Sequence, residues 1–148
     1  MVTGLQRLVR RAVLSALKAN APLIAVVPAT RIYGQTVPMG AVFPFVRLGG
    51  PQTLPLHASC INGAGIVTLD VHAFVKPRLD ASGNIAETAE DFAGRIGAAI
   101  EAALDRQRLP LEAFGFAALR LTEMRLLQDA DEADAYHYFA QISARCIV

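Results

Sequence analysis

Three histidines, two cysteines and one run of carboxylates are the residues of this chain best suited to chemistry. His57 stands three residues before Cys60, a spacing that invites a thiol nucleophile beside an imidazole base. Near neighbours on a loop do not orient one another, however, and no third group stands by to hold the imidazole. Catalysis by Cys60 is therefore not expected. Cys60 and Cys146 show no metal-ligand spacing, and two free thiols in a reducing compartment are favoured over a single bridge. His72 and His137 fall on the polar faces of expected strands. Pairing of those strands would bring them together with Asp70 nearby. A metal ion there needs a fixed third ligand; the plainer reading is two solvated histidines on a sheet face.

The carboxylates Asp129, Asp131, Glu132 and Asp134 suggest a calcium loop at first sight. The central glycine and distal glutamate of an EF-hand are missing, so the run reads as a solvated hairpin tip. A tip of one sign could instead line an opening and repel DNA or a like-charged surface. Arg7, Arg10 and Arg11 form a solvated helix face or touch an acidic partner. Gly34, Gly40, Gly49 and Gly50 do not make a phosphate loop. No catalytic, cofactor or metal site is expected, and the chain reads as a non-enzyme that needs no cofactor.

The elements of the chain are more regular than its chemistry. Leu5, Leu8, Val9, Ala12, Val13, Ala16 and Leu17 recur at helical spacing, with Thr3 and Gln6 as a capping box and Asn20 as the stop. Pro22 opens a short second helix that Pro28 closes. Residues 31–34 read as a short extended piece and residues 43–48 as a strand. Residues 52–65 read as a long loop. Residues 65–76 alternate cleanly and predict a strand, with Val67, Leu69, Val71, Ala73 and Val75 on one face.

Asn84 and Glu87 suit the start of a helix running to Arg108, in which Gly94 and Gly97 call for close packing against a neighbour. Residues 116–127 and 135–148 predict two long strands joined by the acidic turn as an antiparallel hairpin. Strands of this length either bend at bulges or project from the body, and an open edge then seeks a partner. The fold expected is α+β: a mostly antiparallel four-stranded sheet with two main helices packed on one face, in a single domain over 1–148.

Composition narrows the function classes. The chain is 53% hydrophobic and 18% charged, a slight apolar surplus explained equally by its alanines or by a subunit interface. A net charge of +1 gives no long-range pull toward nucleic acid or an anionic membrane, and with no tryptophan single-strand stacking is unsupported. No run approaches the roughly 18 apolar residues of a membrane helix, and no secretory leader is expected. A soluble protein made in the cytosol follows.

The order of these pieces resembles the tail-completion, or tail-terminator, family of long-tailed bacteriophages, prophages and gene transfer agents. The resemblance is carried by the helix at 8–19, A-P-L-I-A-V-V at 21–27, R-I-Y-G at 31–34 and V-P-x-G at 37–40. F-P-F-V-R-L-G at 43–49, L-D-V-H-A-F at 69–74, the helix at 92–104 and A-Y-H-Y-F-A-Q-I-S-A-R at 135–145 complete it.

The resemblance implies a structural virion protein that forms a ring, commonly a hexamer. Such a ring caps the tail tube, stops its polymerisation and offers a surface for head joining. Its partners would be other copies of itself, the tail tube protein and the head–tail connector protein. DNA could pass through the ring without specific recognition, and no membrane is involved. The site would be the head-proximal end of the tail, after assembly in the host cytoplasm. The expected interface residues are Leu54, Leu56, His57, Ile61, Arg7, Arg10, Arg11, Asp129, Asp131 and Glu132. A head–tail connector or adaptor ring is the nearest alternative; a small Cys/His hydrolase and a monomeric ligand-binding domain are the others.

Overall fold

The structure, a computed structural model, describes residues 4–55, 65–112 and 115–147. Helix α1 (Leu5–Ala19) buries Leu5, Val9, Val13 and Leu17 along one stripe, as its apolar spacing requires. It begins at Gly4, whose φ of 77° is left-handed, without a side-chain cap. Thr3, the expected cap, lies outside the described residues. Asn20 ends α1 and also starts α2 (Ala21–Ile24), its side-chain Oδ1 accepting the Leu23 N–H at 3.0 Å.

Among the described residues nine strands follow: β1 (Ile32–Tyr33), β2 (Phe45–Leu48), β3 (Gln52–Pro55), β4 (Gly65–Val75), β5 (Arg78–Leu79), β6 (Ile85–Glu87), β7 (Arg108–Leu111), β8 (Gly115–Gln128) and β9 (Tyr136–Ile147). Helix α3 (Ala89–Leu104) lies between β6 and β7. The main sheet has seven strands in the order β1-β2-β4-β9-β8-β7, and β3 pairs with β4 beside β2. β1 runs parallel to β2 and every other pairing in the sheet is antiparallel, so the sheet is mixed; it curls into a half-barrel. β5 and β6 form a separate ribbon.

This corrects the four-stranded expectation. The four long or patterned strands are present, but β1, β3 and β7 add to the sheet. Strands of two to four residues carry too little alternation to be read from sequence. Gln52–Pro55 in particular lies inside the stretch expected to be loop, and pairs with β4 from Gln52–Thr68 to Pro55–Gly65.

The expected helix start also moves. Residues 85–87 belong to the ribbon, and α3 begins after Thr88, whose Oγ1 accepts the Asp91 N–H at 3.3 Å. Glu90 and Asp91 then lie in the first turn, at the positive end of the helix dipole. The helix stops at Leu104, and Arg108 opens β7 instead of lying in the last turn.

α1 and α3 pack on the face of the sheet that carries Val67, Leu69, Val71, Ala73 and Val75 of β4 with Ala140, Ile142 and Ala144 of β9. Ile96, Ile100 and Leu104 of α3 are completely buried there. Each such side chain contributes about 1.5–3 kcal/mol of transfer free energy.

Gly97 shows why α3 can lie so close. A Cβ there would sit 2.6 Å from Cδ2 and 2.7 Å from Cζ of Tyr138, so the helix rests its backbone against that ring. Gly94, expected to serve the same purpose, faces open space.

A register shift between Leu121 and Glu123 bulges β8. Ahead of it Ala117 and Leu119 face the core. Beyond it Met124 and Leu126, opposite Ala140 and Tyr138, take that side. The imperfect alternation of this strand in the sequence is the trace of that bulge.

Candidate assembly surfaces

The sheet face away from the helices is built from the alternate residues of the same strands. β4 presents Ile66, Thr68, Asp70, His72 and Phe74 there, all half-buried. Antiparallel pairing of β4 with β9 places His72 opposite Phe139 and Phe74 opposite His137. The two imidazoles meet diagonally, with His72 Nδ1 and His137 Nε2 2.7 Å apart.

Around them an aromatic stack forms. Phe74 lies 4.4 Å from His137 and 5.0 Å from Phe45, both near-parallel, and Phe43 meets Phe45 edge-on. Arg47 lies over Phe74 and Lys76 over Phe43.

Burial is the main cause that lowers the His72 pKa to about 4, followed by His137 and Arg47. His137 is lowered chiefly by burial, against the opposing pull of Asp129. Both rings are therefore neutral near pH 7, and one N–H donates to the other ring's lone pair. The sequence suggested solvated histidines; the structure stacks them instead. Among the described residues no group of three His, Cys, Asp or Glu side chains could hold a metal ion.

The long hairpin has an open edge. β7 pairs with β8 only from Gly115 to Ala118, and the chain before β7 extends that support as far as Leu121, whose N–H donates to Asp105 Oδ1 at 3.0 Å. From Glu123 to Gln128, β8 pairs among the described residues with β9 alone. That stretch exposes Met124, Leu126 and Leu127. A shallow groove of about 490 Å³ runs beside it, floored by Ala98, Ala102, Leu121 and Met124 and edged by Glu101 and Asp105. A second groove of about 600 Å³ separates α1 from β7 and is lined by Leu8, Leu14, Leu109 and Pro110 with Arg11 and Lys18.

The residues expected at an interface are scattered. Leu54 is 64% exposed on β3. Leu56, His57 and Ile61 lie outside the described residues, as does Cys60. Arg7 is exposed, Arg11 pairs with Glu112 at 3.2 Å, and Arg10 turns toward Gly34 beside β1, so the three do not form one patch.

The acidic run forms the β8–β9 turn. Asp129 Oδ1 accepts the Asp131 N–H at 2.9 Å, and Glu132 pairs with Lys76 at 3.2 Å. Cys146 is wholly buried in the core, and burial raises its thiol pKa to about 11. A thiol so held is a poor nucleophile.

Open strand edge, exposed apolar side chains and a one-signed turn define an α+β subunit that presents surfaces for assembly. The chain belongs to the family described as tail completion protein gp17, which matches residues 11–147. This is a family of structural phage tail proteins. Among solved structures, a chain from the virion of a native gene transfer agent particle has the same fold. Its TM-score is 0.77 at 18% identity, over 99% of this chain and 100% of that one. No curated protein matches.

Proposed function

We propose that this protein caps the tail tube as a ring, ends tube polymerisation and provides the surface to which the head is joined. Copies of the chain would close a ring, a hexamer by the family resemblance, at the head-proximal end of the tail, with the tube protein on one side and the head–tail connector protein on the other. Assembly in the host cytoplasm precedes incorporation into the particle.

The observation that carries this reading is the unsupported Glu123–Gln128 stretch of β8, with Met124, Leu126 and Leu127 exposed beside it. Unpaired strand edges recruit further strands, and apolar side chains along one strengthen the contact. A contact between two different surfaces of identical subunits closes into a ring when the rotation allows. Leu54, together with Leu56, His57 and Ile61, is proposed as a further contact to a neighbour.

Deletion of the gene tests the role. Particles from the deletion strain, viewed by electron microscopy, should show tails of uncontrolled length unattached to heads. Complementation should restore both length and joining. Tails of normal length that fail to join would favour the connector ring and overturn the terminator role.

A further inference from the structure

The charges of this chain nearly cancel, yet the long hairpin separates them. Arg108 of β7 and Arg145 of β9 both pair across from Ala118 of β8, one on each side. Arg120 lies two residues along β8 and pairs across from Ser143. All three are exposed, and all three lie on the sheet face away from the helices, since Ala117, Leu119, Ala144 and Cys146 beside them are buried in the core.

Antiparallel partners lie about 4.5–5.5 Å apart between Cα atoms, so Arg108 and Arg145 stand about 10 Å apart on either side of one alanine, with Arg120 on the same face. Like charges gathered on one face repel, the more so the nearer they stand. Arg108 stacks on Phe116 at 3.8 Å, and none of the three forms an ion pair among the described residues. An anionic partner is what would stabilise them, and planar guanidinium groups suit carboxylates well.

The other end of the same hairpin supplies carboxylates. Asp131 and Asp134 are exposed at the β8–β9 turn with no ion pair of their own among the described residues. Ten residues of strand separate Ala118 from Gln128, which places patch and turn roughly 30 Å apart. One molecule cannot bring its own turn to its own patch.

We infer that the acidic β8–β9 turn of one copy docks on the Arg108–Arg120–Arg145 patch of the next, joining copies head to tail. The contact rests on the ring proposed above and names the surfaces that close it. It is heterologous: each copy gives its turn to one neighbour and its patch to the other, as a closed ring requires. The turn then serves as a docking element in place of a solvated tip.

Charge reversal tests this. One variant carries Arg120→Glu and Arg145→Glu, a second carries Asp131→Lys and Asp134→Lys, and a third carries all four changes. Their assembly is followed by native mass spectrometry and sedimentation, with thermal melting as the control for folding. Each two-site variant should melt like the parent chain but weaken self-association about 100-fold or more, because like-charge juxtaposition costs several kcal/mol. A one-to-one mixture of the two, and the four-site variant alone, should assemble again.

Two-site variants that assemble like the parent chain would overturn the inference and leave the ring intact. Loss of assembly that the mixture fails to restore would overturn it as well. A parent chain that stays monomeric with and without tail tubes would sink the ring reading itself. Binding of a short DNA duplex that the arginine reversals abolish, with rings unaffected, would assign the patch to phosphate and refute the docking of the turn.

Discussion

Gly97 and Gly94 occupy the same helix, and the structure predicts opposite results from the same change. In an exposed helix interior, glycine to alanine gains up to about 1 kcal/mol, because glycine loses more backbone freedom on folding. Gly94 is exposed and a Cβ there meets nothing within 4 Å, so Gly94→Ala should collect that gain.

At Gly97 the same Cβ would lie 2.6 Å from Tyr138 Cδ2 and 2.7 Å from Cζ, well inside van der Waals contact. The ring cannot swing clear. Tyr138 is 7% exposed, on a strand held between β4 and β8. Overpacking of this kind costs about 1–3 kcal/mol. Set against the full helix gain, Gly97→Ala should lose up to about 2 kcal/mol, or up to roughly 8 °C in Tm for a chain of this size. Urea unfolding and thermal melting of both variants read the difference.

A second helix–sheet variant closes the cycle. Tyr138→Leu removes the obstructing ring at its own packing cost. In its background Gly97→Ala should be nearly neutral, a coupling of about 1 kcal/mol or more between touching residues. Equal stabilisation by Gly97→Ala and Gly94→Ala would refute the close approach of α3 to β9.

Other outcomes follow from the same structure. The His72 pKa is lowered from 6.5 to about 4, so between those values the unfolded chain binds more protons than the folded one. Stability should be full above about pH 6.5 and fall as pH drops toward 4, by about 1–2 kcal/mol after discounting for partial exposure, and His72→Gln should flatten that slope in pH-dependent urea melts. In a Cys60→Ser background, Cys146 should react with a thiol reagent at pH 8 at least about 100-fold more slowly than in unfolded chain, because it is buried and its pKa is raised to about 11. Leu126→Lys should leave Tm within about 1–2 °C, since the side chain is 44% exposed, yet reduce self-association measured by sedimentation.

Much of the scaffold can be read from residue pattern alone, because α1, α3, β4 and β9 are long enough to repeat their period several times. The β4 alternation survives residue for residue, with every second side chain from Gly65 to Val75 buried. What the pattern hides is of three kinds. β1, β3 and β7 are too short to show a period, so the sheet looked four strands wide. The β8 bulge exchanges the inward and outward residues halfway along, which blurs the alternation. Thr88 caps α3 in place of Asn84, because Ile85 and Glu87 pair with Leu79 and Arg78 as a local ribbon instead of entering the helix.

The surfaces are harder still to read. His72 and His137 are 65 residues apart in sequence, and only the β4–β9 register brings them to 2.7 Å. Arg108, Arg120 and Arg145 likewise converge through strand pairing. The arginines of α1, adjacent in sequence, diverge because their helix turns them toward different strands.

Length control of the tail tube is the property to measure. Purified tube protein is allowed to polymerise in vitro, this protein is added at increasing ratios, and tube lengths are scored by electron microscopy. Capping predicts that elongation stops on addition, that mean length falls as the ratio rises, and that a ring of density appears at one end of each tube. Tubes that keep growing at the same rate, with no density at either end, would contradict the assignment of this subunit as the tail terminator.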